Sequence, residues 1–131
     1  MTATILVADD SATMRMIVQT TLTGAGWTVV AAGNGQEALD LALSRAQPVD
    51  LVVSDWNMPV LGGLGLIQGL RGAAGYADVP VLVLTTEDDA ESKTAARDLG
   101  VCGWLQKPVD PDLLVEMASE LLGHPGGHHL E

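Results

Sequence analysis

The stretch DLVVSDWNMP, residues 50–59, decides the fold class because it joins a buried strand to an abrupt polar end. Leu51, Val52 and Val53 form a continuous apolar run, which is typical of a strand buried on both faces of a parallel sheet. The run stops at Asp55, and the asparagine and proline that follow favour a turn. Asp55 is therefore either a turn residue or a carboxylate with chemistry to perform.

Apolar runs of the same kind recur along the chain, and helical patterns separate them. The predicted strands are residues 4–8, 27–32, 50–55, 79–85 and 101–106. The first predicted helix follows DDS and ends near Gly24, and the others start near residues 34, 64, 91 and 111. This alternation predicts a single α/β domain whose parallel sheet is covered by helices on both faces.

Particular residues support the predicted helices. Asn34 with Glu37 three residues later predicts a capping box, and Asp110 before a proline predicts the start of the fifth helix. Helical spacing places Ile17 in the apolar stripe of the first helix and Leu113 in that of the fifth.

Composition limits the kinds of partner. The chain has 131 residues and a net charge of −11, from 17 acidic and 6 basic residues, which argues against nucleic-acid binding. No signal peptide is recognisable, and no apolar run approaches the roughly 20 residues that span a bilayer. We therefore expect a cytoplasmic protein without membrane insertion. Cys102 is the single cysteine, which excludes an internal disulfide, and we expect it to be a small buried apolar residue.

The predicted domain covers residues 1–123. Residues 124–131 are rich in glycine and histidine and show no helical period, so we expect a flexible tail and not a metal site. Leu130 and Glu131 have the character of residues left by a purification tag.

Polar side chains follow four of the five predicted strands. The carboxyl ends of parallel strands form the usual ligand site of such sheets, so we expect these groups to converge. Each group also has an ordinary explanation, as a helix cap, a turn residue or a solvated lysine. Their occurrence together favours a site; the groups are Asp9 and Asp10, Asp55, Thr85 to Glu87, and Gln106 to Pro108.

Three clustered carboxylates repel one another, and a hard divalent cation such as Mg²⁺ relieves that repulsion. Asp9, Asp10 and Asp55 are the candidate ligands, with the backbone carbonyl of Asn57 completing the protein set. A free oxygen of Asp55 is then able to attack phosphorus and form an aspartyl phosphate. Lys107 and the Thr85 hydroxyl are suited to binding phosphoryl oxygens.

In this order and spacing, the sequence resembles the receiver domain of bacterial two-component response regulators, most closely the single-domain chemotaxis regulators of the CheY type. The resemblance covers residues 4–122, and its motifs are DDSATMRMIV, SDWNMP, TTE and KP. It implies a flavodoxin-like, doubly wound (βα)5 fold whose five-stranded parallel sheet has the order 2-1-3-4-5. It also implies a cis peptide bond between Lys107 and Pro108.

The resemblance further implies a role for each site residue. Asp55 is the phosphoacceptor, Asp9 and Asp10 bind the metal, and Thr85 and Lys107 are the residues that bind the phosphoryl group. Asn57 and Glu87 lie where family members control the water that attacks the aspartyl phosphate. Trp104 occupies the aromatic switch position, or else it only covers the edge of the sheet.

The implied function is a switch that a histidine kinase, CheA-like in this family, turns on by phosphorylating Asp55. The switch then binds a downstream protein, with the flagellar motor switch as the expected target, and acts as a monomer. One alternative is a phosphate shuttle in a multi-step relay. Another is a Mg²⁺-dependent phosphatase, although Asn57 stands where such enzymes need an acid. Trp56 is expected beside the acceptor and partly exposed.

Overall fold

The computed structural model describes residues 2–122, in which five strands alternate with five helices. The elements are β1 Thr4–Ala8, α1 Ala12–Gly24, β2 Thr28–Ala32, α2 Gly35–Ser44, β3 Leu51–Ser54, α3 Gly63–Arg71, β4 Val81–Thr85, α4 Ala90–Asp98, β5 Gly103–Gln106 and α5 Pro111–Leu122. The predicted carboxyl end of every strand lies within one residue of the observed end. The predicted tail, residues 124–131, lies outside the described residues.

All five strands are parallel, and their order across the sheet is β2-β1-β3-β4-β5, which confirms the predicted fold class. The register pairs Ala8 with both Ala32 and Ser54, and Thr85 with Gln106. The carboxyl ends of the strands therefore lie at one edge of the sheet. Among the described helices, none has both the length and the apolar character needed to cross a bilayer.

Alternating side chains of the strands feed two separate core layers, as a sheet covered on both faces requires. Ile5 and Val7 of β1 pack on one face with residues of α1 and α5, including Leu22. Leu6 of β1 packs on the opposite face with α2, α3 and α4, whose contribution includes Leu66. The near-continuous apolar runs in the sequence have their cause in this double burial.

Side-chain caps fix the starts of α1, α2 and α4. The hydroxyl of Ser11 accepts a hydrogen bond from the Met14 amide at 3.2 Å at the start of α1. Asn34 accepts from the Glu37 amide at 2.8 Å, as the capping box predicts. The Glu37 carboxylate, however, accepts from the Gly33 amide at 2.7 Å and not from Asn34, so the reciprocal bond is shifted by one residue.

Two residues of the predicted apolar stripes are exposed, and the predicted burial of Cys102 is wrong. Ile17 and Leu113 are 42% and 40% exposed, because their helices bury the adjacent residues Val18 and Leu114 and leave these two at the rim. Cys102 is exposed and not buried. It precedes the first residue of β5, an edge strand with a neighbour on one side only, so the packed sheet does not enclose its side chain.

A buried tyrosine joins α2 to the chain that enters β3, at the amino ends of the strands. The Tyr76 hydroxyl donates to the Ala42 carbonyl at 2.8 Å and accepts from the Val49 amide at 3.1 Å. Its ring is part of the same core layer as α2 and α3. This contact lies at the opposite end of the strands from the polar residues described below.

Tyr76→Phe is expected to lower the free energy of unfolding by about 1–3 kcal/mol, because the buried Val49 amide loses its partner. Thr20→Val, which removes a hydroxyl from an exposed site on α1, is the control, with an expected change within about 0.5 kcal/mol. Urea unfolding curves measure both values. Equal stabilities of the two variants would show that the tyrosine hydroxyl contributes nothing to this junction.

Candidate functional site

Three carboxylates meet at the carboxyl ends of β1 and β3. Asp9 and Asp55 are buried and Asp10 is exposed, and each offers an oxygen within 4.8 Å of the others. The backbone continues the sheet pairing just past the strand ends, because the Asp9 amide donates to the Ala32 carbonyl at 3.1 Å and the Asp55 amide to the Ala8 carbonyl at 2.9 Å. The sheet itself therefore fixes where these carboxylates begin.

Local amides orient the two buried carboxylates. Oδ1 of Asp9 accepts from the Ser11 amide at 2.9 Å, and Oδ1 of Asp55 accepts from the Trp56 amide at 2.7 Å. In both residues the second oxygen, Oδ2, is directed to the ammonium of Lys107, at 2.8 Å from Asp9 and 2.9 Å from Asp55. Lys107 follows β5, so this one side chain connects the ends of three strands.

Lys107 has a raised pKa through competing causes. Burial of the ammonium acts to lower the pKa, but the hydrogen bonds to Asp9 and Asp55 and their negative charges outweigh it. The lysine therefore stays protonated at neutral pH and offsets part of the charge of the buried carboxylates. One ammonium facing three carboxylates still leaves the cluster negative.

That remaining charge suits a divalent cation with oxygen ligands. Mg²⁺ takes few carboxylates and keeps several waters, which fits a group of two buried carboxylates and one exposed one. The donor set therefore agrees with the Mg²⁺ prediction at Asp9, Asp10 and Asp55. The role of the Asn57 backbone carbonyl as a further ligand stays a prediction.

Thr85, the last residue of β4, lies beside this cluster. It is buried, and its backbone carbonyl accepts from the Lys107 amide at 3.0 Å, which holds the two residues side by side. Its hydroxyl oxygen accepts from the Glu87 amide at 3.2 Å, so the hydroxyl hydrogen is left to donate elsewhere. The peptide bond from Lys107 to Pro108 is cis, as expected.

Trp56 is buried, so the prediction of a partly exposed ring is wrong. Its ring packs on Trp104 of β5, with centroids 5.3 Å apart and planes tilted by 57°. Trp104 packs on the core layer of α3 and α4, whereas Leu105 packs on the opposite layer, so the side chains alternate between the two faces along β5. The indole Nε1 of Trp104 donates to the Glu87 carbonyl at 3.1 Å.

Sequence reasoning gave no role to two residues that support the cluster through backbone atoms. Arg15 Nη1 donates to the Asp9 carbonyl at 2.6 Å. In the sequence, only the position of Arg15 within the DDSATMRMIV block could have indicated this role. Gly63 packs so closely that an added Cβ would lie 2.5 Å from the Asp55 carbonyl oxygen and 3.0 Å from the Trp56 Cα. The Gly63 amide also donates to the Trp56 carbonyl at 2.8 Å.

Comparison with known proteins gives one consistent result. The family description "Response regulator receiver domain" matches residues 5–119. A chemotaxis protein CheY homolog of Campylobacter jejuni is 39% identical over 124 residues, which are 94% of this chain and 95% of that protein. The structure of Vibrio cholerae CheY4 matches with a TM-score of 0.86 and 37% identity, covering 93% of this chain and 100% of the other.

A response regulator of Burkholderia multivorans, solved in solution, is 48% identical and has a TM-score of 0.76. The match covers 98% of this chain and 100% of the other. These three matches therefore cover nearly the full length of both chains.

Gly63→Ala is expected to lower the free energy of unfolding by about 1–3 kcal/mol, because the new methyl group must displace the Asp55 and Trp56 backbone. Gly24→Ala at the end of α1 is the matched control, since an added Cβ there meets nothing within 4 Å. Urea unfolding measures the stability of both variants, and a Gly63 variant as stable as the Gly24 variant would contradict the packing argument.

Proposed function

The chain belongs to the response regulator receiver domain family, and from this premise we propose that Asp55 accepts a phosphoryl group from a histidine kinase. One observation carries the proposal: a single ammonium, Lys107, binds Oδ2 of both Asp9 and Asp55 at the carboxyl edge of the sheet. A buried carboxylate that is held at one oxygen by an amide and at the other by an ammonium is oriented for attack on phosphorus.

In the proposed reaction an oxygen of Asp55 bonds to phosphorus while the bond from phosphorus to the kinase histidine breaks. Trp56 holds Oδ1 of the acceptor through its amide, which limits the rotation of the carboxylate. When bound, Mg²⁺ supplies positive charge that offsets the repulsion between phosphoryl oxygens and carboxylates. Asp9, Asp10, Asp55 and the Asn57 carbonyl are the groups that would hold it.

Lys107 and Thr85 respond to the new group. The Lys107 ammonium, already beside Asp55, neutralises a phosphoryl oxygen, and the free hydroxyl hydrogen of Thr85 donates to another. Movement of Thr85 toward the phosphoryl group strains its contact with the Glu87 amide and so reaches the loop before α4. The change at the acceptor is thereby passed to α4 and β5 as a shift between conformations.

Loss of the phosphoryl group by hydrolysis resets the switch. We assign control of the attacking water to Asn57 and Glu87, which flank the acceptor in the family pattern and are at least partly exposed. We also assign to exposed Thr86, between Thr85 and Glu87, a restriction of the path by which that water reaches Asp55.

The output of the proposed switch is binding to another protein. A net charge of −11 opposes a nucleic-acid partner, and the similar chemotaxis proteins of Campylobacter and Vibrio favour the flagellar motor switch as the target. Trp104 connects the site to the surface of α4, β5 and α5, where the target would bind. We place this activity in the cytoplasm, with a monomeric chain and a chemotaxis-type kinase as donor.

Incubation with acetyl phosphate and Mg²⁺ is expected to add one phosphoryl group to the native chain, detected by intact-protein mass spectrometry. Asp55→Asn should reduce incorporation to background, because the amide is not a nucleophile for phosphorus. Asp78→Asn, an exposed aspartate at the other end of the strands, is the control and should be phosphorylated normally. Chelation of the metal should also stop the reaction. Equal incorporation in the Asp55→Asn and Asp78→Asn proteins would refute the acceptor assignment.

Binding assays with the beryllofluoride-treated chain identify the output. The proposed target is supported if the treated chain binds a flagellar switch peptide more tightly than the untreated chain does. Transfer of the phosphoryl group from Asp55 to a histidine phosphotransferase, without peptide binding, would establish the relay role instead.

A further inference from the structure

The Glu87 carbonyl, in the loop between β4 and α4, accepts hydrogen bonds from two side chains of β5. Trp104 donates from its indole Nε1 at 3.1 Å, and Gln106 donates from its amide Nε2 at 2.7 Å. A carbonyl oxygen has two lone pairs, so these two donors fill its capacity. Trp104 and Gln106 are two residues apart on one strand, which places both on the same face of the sheet.

The loop itself is held by side chains. Within residues 2–122, Glu87 makes no backbone-to-backbone hydrogen bond: its amide donates to the Thr85 hydroxyl and its carbonyl takes the two β5 donors. Each hydrogen bond of this kind contributes little net free energy, so the loop can exchange one set of hydrogen bonds for another at little cost. A segment held in this way is suited to two alternative positions.

Gln106 lies beside Thr85 in the sheet and bonds to the loop that follows Thr85. The sheet register pairs it with Thr85, whose hydroxyl holds the Glu87 amide from the other side. Gln106 therefore faces the same loop residue that Thr85 would pull when it turns to a phosphoryl group.

A series of contacts starts and ends at the acceptor. Asp55 accepts from the Trp56 amide, and the Trp56 ring packs on Trp104. Trp104 donates to the Glu87 carbonyl, and the Glu87 amide donates to the Thr85 hydroxyl. The Thr85 carbonyl accepts from the Lys107 amide, and the Lys107 ammonium binds Asp55. Gln106 is the additional donor that fixes the Glu87 carbonyl where the Trp104 indole reaches it.

We propose that Gln106 is a positioning residue of the switch, which keeps Trp104 packed on Trp56 before any phosphoryl group is present. The inference rests on the proposed role of Asp55 as acceptor and adds a determinant of the resting state. Trp104 has two positions in this proposal, a packed one on Trp56 and an open one away from it. With Gln106 present, the packed position is already populated, and phosphorylation changes the ratio of the two populations. Without it, the Glu87 carbonyl keeps only the indole as a donor, and the packed population falls roughly two- to tenfold relative to the open one.

Gln106→Met tests the proposal, because methionine keeps the length of the side chain and removes the donor. Two nearby indoles give a coupled circular-dichroism signal, which Trp56→Phe identifies by abolishing it. In Gln106→Met we expect this signal to weaken and the Trp104 indole N–H to exchange with solvent roughly two- to tenfold faster by NMR. Gln36→Met, which removes an exposed glutamine donor on α2, is the matched control and should change neither readout.

Gln106→Glu is a second variant, of the same shape without the donor, and should give the same result if the methionine variant folds poorly. Unchanged indole coupling and exchange in either folded variant would overturn the proposal. Phosphorylation by acetyl phosphate is followed separately in the same proteins. If neither the native chain nor the variant takes up phosphate while the indole signals change as expected, the acceptor assignment fails and the role of Gln106 in holding Trp104 stands.

Discussion

The parallel sheet imposes the constraint on which everything else depends, because it brings the carboxyl ends of all its strands to one edge. Acidic side chains that follow β1 and β3 are thereby brought together, and their negative charges repel one another at the site. The Lys107 ammonium between Asp9 and Asp55 reduces this repulsion, and a divalent cation is suited to the negative charge that remains. Buried charge of one sign thus prepares the domain to bind groups of the opposite sign.

Much of this arrangement could be predicted from the sequence, because strand ends are marked by abrupt changes from apolar to polar residues. That signal alone places Asp9, Asp55, Thr85 and Lys107 at one edge, where the structure has them. Exposure was harder to predict: Trp56 is buried because a residue 48 positions later packs on it, and nothing near Trp56 in the sequence encodes that contact. Neighbours distant in sequence decide burial, whereas local pattern decides where strands end.

The supporting residues escaped sequence reasoning for a related reason. Arg15 donates to the backbone carbonyl of Asp9, and the Gly63 amide donates to that of Trp56. A carbonyl is present at every position, so its partner leaves no characteristic residue pair to recognise. The side-chain types in the sequence therefore predict the chemistry of the site. Its exact geometry depends on backbone contacts that only the three-dimensional structure reveals.

Tyr76 joins α2 to the entry of β3 at the amino ends of the strands, whereas Asp55 follows the carboxyl end of β3. The length of the strand therefore separates the tyrosine hydroxyl from the residues that hold the carboxylates. A substitution at the tyrosine end should change the free energy of unfolding and leave the carboxylate cluster in place. An engineer can therefore adjust the stability of this domain and the chemistry of its acidic edge separately.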